Sequence, residues 1–343
     1  MKFRLLAGLV FCAASGLSQG PVIRTVAGNG GLGPLREGAA AVDSPISFPN
    51  ALAFDRAGNL YIASSFGPVY RMTPDGALFT AVAGPRPEDF RCSFWAGMAL
   101  DPDGRVLLAD MGCNRVVRYD GGPDWTVVAG TGRRGFAGDG GAANQADLNQ
   151  PSGLAFDTAG NLYIADYGNL RIRVVRPDRS IATYAGSGRD EHARGDGGAA
   201  LEASLRPVAL AVDPAGNLYV ADFPARVAQP YYANHSIRKI TSEGLVSTVA
   251  ASSPDNAEVV LPMCLAVPEA GLVYFGDMYR VRAAGSDGVR TIAGSLASGF
   301  AGDGGPAAEV LLFAPQGLAV DAHGDIYVAD IVNRRVRKID VHQ

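Results

Sequence analysis

Five aspartates recur at one place in a repeated pattern. Asp110, Asp166, Asp222, Asp277 and Asp330 each close a hydrophobic run, and Ser64 holds the corresponding position nearest the N-terminus. Carboxylates gathered around an opening could bind a divalent cation, move a proton or hold a basic ligand. An arginine follows five residues later in three copies, as Arg115, Arg171 and Arg335, with Asn169 and Asn333 lying between. The blander chemistry is a turn in which the aspartate accepts backbone amide hydrogen bonds and holds that arginine. Repetition favours the turn, because a catalytic site needs only one residue of each kind.

A second set of carboxylates sits in long glycine-rich stretches. Asp139, Asp196 and Asp303 belong to GDGG sequences, and Glu37 lies in the related first stretch. Calcium takes roughly six to eight oxygen ligands, so one carboxylate per loop falls far short. A compact turn, with the aspartate bonding neighbouring amides and the glycines taking positive φ, is the simpler expectation. Phe136, Leu148, Phe300, Leu311 and Phe313 would pin these loops to the rest of the molecule.

Nucleophile and metal patterns are sparse. The chain has only four histidines, His192, His235, His323 and His342, and no nucleophile elbow or CxxC spacing. Cys92 and Cys113 flank a hairpin with its turn near Asp103, and antiparallel pairing would bring them opposite one another, as a disulfide requires. Cys264, in the apolar run MCLAV, reads as a buried free thiol. No cofactor is assigned, and a channel calcium or other divalent ion stays open.

These residues are carried by a repeat. The pattern P-x-x-L-A-hydrophobic-D-x-x-G-N-L-Y-hydrophobic-A-D starts at Pro49, Trp95, Pro151, Pro207, Pro262 and Pro315, at spacings of 46, 56, 56, 55 and 53 residues. In the third copy four strands are expected, at Leu154 to Asp157, Leu162 to Ala165, Arg171 to Arg176 and Ile181 to Ala185. Six such units describe an all-β, six-bladed β-propeller of four-stranded antiparallel blades. The last copy stops at Val341 without a fourth strand, whereas VIRTVAG at Val22–Gly28 precedes the first copy and matches fourth strands. The N-terminal strand is therefore expected to complete the last blade and leave no unpaired edge at the seam.

The segment GNLYIAD followed by N-L-R-I-R resembles the NHL-repeat family, and the likeness runs from Val22 to Asp340. It is specific in the third, fourth and sixth copies and weaker in the fifth, where Pro268 replaces the aspartate and Gly271-Leu272-Val273 replaces Gly-Asn-Leu. The resemblance implies a six-bladed propeller. Related amidating lyases use several histidines around a channel metal, and this chain has no matching set.

Departures from the repeat are more informative than the repeat itself. The fourth copy inserts about nine residues after Asp222, reading FPARVAQPYYANHS. It carries Arg226, Tyr231, Tyr232 and His235, and adjacent tyrosines are good contact residues for a partner or a sugar. The ligand-binding candidates are these four residues together with Asp166, Asp222, Asp277 and Asp330. No residue is assigned to catalysis or to a metal.

The remaining signals concern location and partners. Residues 1–18 combine Lys2 and Arg4, an apolar run from Leu5 to Ala14 and small residues, which is the layout of a signal peptide. The run is too short to span a bilayer. Residues 19–343 then form the propeller, secreted or periplasmic. A net charge of −4 provides no general attraction for nucleic acid. The expectation is an exported binding scaffold that presents a loop face to a protein, glycan or small ligand. The alternative is a propeller lyase or hydrolase with a carboxylate-held metal in its channel.

Overall fold

The computed structural model describes residues 20–84, 94–122, 125–189, 195–223, 235–252 and 258–341. They form six antiparallel sheets, one for each copy of the repeat, with no α-helix among them. The blade of the third copy shows the plan. Its strands are Pro151–Phe156, Leu162–Asp166, Arg171–Val175 and Ile181–Ala185, in sequence order from the channel outward. The inner strand begins three residues earlier than the alternation indicates, and a register shift between Pro151 and Leu154 accommodates the extra length.

Inner strands begin at Pro49, Trp95, Pro151, Pro207, Pro262 and Pro315 and pack side by side around the axis. Their residues must be small for six of them to meet. A Cβ on Gly97 would lie 2.3 Å from the Ser152 carbonyl oxygen, and one on Gly153 would lie 2.8 Å from Ala209 Cα. Hydrogen bonds also cross between neighbours: Asn50 Nδ2 donates to the Trp95 carbonyl, Ser152 Oγ to that of Val208, and Cys264 Sγ to that of Pro315. They join the first blade to the second, the third to the fourth, and the fifth to the sixth.

The core lies between blades. Leu107 and Ala109 of the second blade, for example, pack with Leu154, Leu162 and Ile164 of the third. Each second strand alternates its faces between two such cores, which is why all five of its residues are buried in the third blade.

The last blade is made from both ends of the chain. Val22–Ala27 pairs antiparallel with Arg335–Asp340, with Val22 opposite Asp340 and Ile23 opposite Ile339. Ile23 is fully buried among Ile326, Val328 and Ile339. Gly304 and Gly305 exchange backbone hydrogen bonds with Ile23, which ties the strand to the preceding loop as well.

Candidate functional site

Pairs such as Pro49 with Ser64, Pro262 with Asp277 and Pro315 with Asp330 place the start of each inner strand beside the end of the second. The repeated aspartates therefore gather at one face, together with the loops between blades. They are not presented to solvent: Asp110, Asp166, Asp277 and Asp330 are 0% exposed and Asp222 is 6% exposed. Asp166 accepts the Asn149 amide at 2.7 Å and Asn169 Nδ2 at 2.8 Å. Asp330 accepts the Phe313 amide at 2.7 Å and Asn333 Nδ2 at 2.8 Å. Asp222 receives the Arg206 amide, and Asp110 those of Phe94 and Cys113. Burial raises the carboxyls of Asp166 and Asp330 to about 6, and these hydrogen bonds oppose the shift.

The arginine partners differ from the spacing-based expectation. Of Arg115, Arg171 and Arg335, only Arg115 meets the aspartate five residues before it, at 3.1 Å from Asp110. Arg171 and Arg335 turn outward, donate to the Ser187 and Asn29 carbonyls, and lie on the rings of Phe136 and Phe300, 4.1 and 3.8 Å from the centroids. The carboxylates face the arginine two residues further along. Arg173 and Arg337, both fully buried, reach Asp166 at 3.4 Å and Asp330 at 3.8 Å.

Those same arginines explain the GDGG loops. Arg173 binds Asp139 at 2.6 Å, Arg238 binds Asp196 at 2.6 Å, and Arg337 binds Asp303 at 2.6 Å. Thr183 and Thr25 add hydroxyl hydrogen bonds to Asp139 and Asp303. The loop aspartates thus bond side chains of the following blade, not neighbouring amides as expected from glycine-turn chemistry. Each buried guanidinium is met by one carboxylate from the loop and one from its own blade, so its charge is balanced inside the protein.

The joint between the fourth and fifth blades departs from this scheme. His235 is fully buried, stacks on Phe223 with ring centroids 4.5 Å apart, and accepts the Leu261 amide on Nδ1 at 3.1 Å. In the second and fourth blades the amide just before the inner strand, of Phe94 and of Arg206, goes to the aspartate. Asp277 instead takes Arg280 at 2.6 Å and Arg282 at 3.4 Å on one oxygen, and its Oδ1 has no hydrogen bond. Burial pushes the His235 imidazole down to about 4, leaving it neutral at pH 7. Arg226, Tyr231 and Tyr232 lie outside the described residues, as do Cys92 and the segment 1–18. Cys113 is disulfide-bonded, while Cys264 is a buried free thiol whose pKa burial raises to about 12.

The two channel mouths differ in chemistry. At the face opposite the inter-blade loops a cavity of about 960 Å³ is lined by Asp55, Asp101, Asp157 and Asp213. Each caps its own turn; Asp55 Oδ1, for example, accepts the Ala57 and Asn59 amides at 2.9 and 2.8 Å. At the loop face the cavity is smaller, about 270 Å³, and its wall includes Asn50, Phe94, Met98, Met111, Ser152 and Met263. Six residues of this mouth occupy the first variable place after each repeat's opening residue, where Asn50, Ala96, Ser152, Val208, Met263 and Gln316 stand. Variation within a well-kept motif was the available signal, and spacing alone gave no reason to single it out. Among the described residues, no three His, Cys, Asp or Glu side chains come together as a metal site, and no helix is long and apolar enough to cross a membrane.

Comparison with known proteins agrees with this architecture. The family model for the teneurin NHL domain matches residues 20–189. Mouse teneurin-4 is 30% identical over 372 residues, covering 94% of this chain but 13% of its own length. An auxiliary nutrient binding protein from Bacteroides thetaiotaomicron superposes with a TM-score of 0.66 at 14% identity, covering 94% of this chain and 77% of its own. A virginiamycin B lyase from Staphylococcus aureus, solved with quinupristin, gives a TM-score of 0.53 at 14% identity, covering 85% and 80%. At such identities the structural likeness concerns the fold alone. With six copies of the motif, one blade for each and a teneurin NHL match over the first three, the chain belongs to the NHL-repeat family.

Proposed function

We propose that this protein is an exported binding scaffold that uses the face carrying its inter-blade loops to hold a protein, glycan or small ligand. One observation carries the reading. Phe48, Phe66, Met263, Met278 and Val332, all at that face, are 38–56% exposed, while the repeated carboxylates beside them are buried and bonded. Apolar side chains collected at one end of a rigid framework suit recognition more than chemistry. Export is supported by the bonded Cys113, since disulfides persist mainly in oxidising compartments.

Glycan and peptide arrays probed with the full chain test this. Features bound by the wild type are expected to be lost with Phe66→Ser combined with Met278→Ser, and retained with Arg56→Ser at the opposite face. Loss with Arg56→Ser alone would move the site to the other mouth. Arrays with no bound feature would count against the scaffold reading itself.

A further inference from the structure

Within the loop face, the channel mouth has a more specific chemistry than its apolar rim. None of the residues lining this cavity of about 270 Å³ is charged. Its hydrocarbon and thioether wall comes from Phe94, Met98, Met111 and Met263 together with the leucines of the inner strands. Asn50 belongs to the same wall and is only 5% exposed. Its Nδ2 donates to the Trp95 carbonyl, a group that can only accept, so the orientation of the amide is fixed. Among the described residues Oδ1 has no hydrogen bond, and it is covered, so a ligand donor reaches it when the wall side chains shift. Two blades away Ser152 Oγ donates to the Val208 carbonyl at 2.9 Å, which commits its proton and leaves the oxygen as an acceptor.

The cavity thus offers the Asn50 and Ser152 acceptors, with the Gln316 amide able to donate or accept, in an uncharged and largely apolar setting. A carboxylate or phosphate would meet no cation there, and an ammonium ion would meet no counter-charge. A sugar would bring more hydroxyls than the wall can satisfy. The volume is near the lower end for small-molecule pockets, enough for one ring system or one large side chain. Methionines adapt to the shape of such a group.

We propose that this cavity is a seat for a neutral apolar group bearing a single N–H or O–H donor, which bonds Asn50 Oδ1 while its carbon skeleton lies among Phe94, Met98, Met111 and Met263. The proposal rests on the loop-face reading above and names the chemistry of one part of that face. Asn50 sets polarity at the seat, and the methionines set its size.

Indole and 1-methylindole serve as probes, because they share a ring system and differ in the donor. Calorimetric titration of the full chain is expected to show saturable indole binding, with 1-methylindole roughly three- to tenfold weaker. Asn50→Leu should bring the two probes to equal affinity. Because Asn50 also bonds Trp95, a second variant at the exposed rim, Met263→Trp, is included to narrow the cavity, and both probes should lose affinity to it. If Asn50→Leu does not fold, the wild-type comparison and Met263→Trp decide. No saturable indole binding, equal affinities in the wild type, or full binding by Met263→Trp would overturn the proposal, as would discrimination surviving in folded Asn50→Leu. If the probes fail while Phe66→Ser with Met278→Ser still abolishes array binding, only the seat is lost and the wider face stands.

Discussion

In the sixth blade, Asp330 receives an amide and an asparagine, and the guanidinium of Arg337 lies between Asp330 and Asp303 of the incoming loop. In the fifth blade the incoming segment has no GDGG sequence, the amide of Leu261 is taken by His235, and Asp277 is left with two arginines on one oxygen. The same strand ends and the same aspartate persist, but Arg282 holds the incoming segment by the Glu258 carbonyl, at 2.7 Å, in place of a GDGG aspartate. The contrast shows what the carboxylates do elsewhere: they fasten a loop from one blade onto the next. Where a histidine takes over part of that work, the aspartate is incompletely bonded, and in sequence that histidine ends the insertion of the fourth copy.

The comparison can be broken most severely at the seam. Removing residues 22–28 should destabilise the protein far more than trimming residues 341–343, and Ile23→Ala alone should cost about 2–5 kcal/mol. Equal denaturant midpoints for the two truncations would contradict a sixth blade that depends on its N-terminal strand. A smaller but still large effect is expected at the clamps. Arg173→Met strands two carboxylates and should cost about 3–5 kcal/mol, whereas Arg282→Met, which removes one of the two arginines on Asp277, should cost less. Urea denaturation of the two variants measures the difference, and the reverse order would show that the loop aspartates contribute little.

The smallest effect sharpens the contrast through pH. His235 is held near 4 in the fold, below its ordinary 6.5, so the unfolded chain binds the extra proton first. Its contribution is therefore present at pH 7 and is lost as pH falls from about 6.5 towards 4. Asp166 and Asp330, raised to about 6, act in the opposite sense: the folded protein takes up their protons first, and stability gains as pH falls from 6 towards 3.8. His235→Gln should thus improve relative to the wild type as pH drops from 6.5 to 4, whereas Asp166→Asn should lose ground over the lower part of that range. Stability differences independent of pH would remove both assignments.

Much of the architecture was legible because it depends on local rules repeated six times. Alternating strands, turn glycines and a fourth-strand sequence stranded at Val22–Gly28 are all short-range signals. The arginine partners were not legible in the same way. Arg171 and Arg173 lie two apart on one strand and so share a face; which of them meets Asp166 depends on where the loop carrying Asp139 and Phe136 comes to rest. His235 bonds an amide 26 residues away, beyond any local pattern. Asn50 was hidden for a different reason: its place in the repeat tolerates alanine, valine and methionine, and only the assembled ring shows that it lines an opening.

The seam also has a mechanical consequence. Val22 stands opposite Asp340, so the two ends of the folded chain emerge side by side from one end of a pair of strands. Tension applied through both ends pulls the two strands apart along the direction of their hydrogen bonds instead of sliding one strand past the other. It loads them one after another, from Val22 towards Ala27, as a zip is opened from its end.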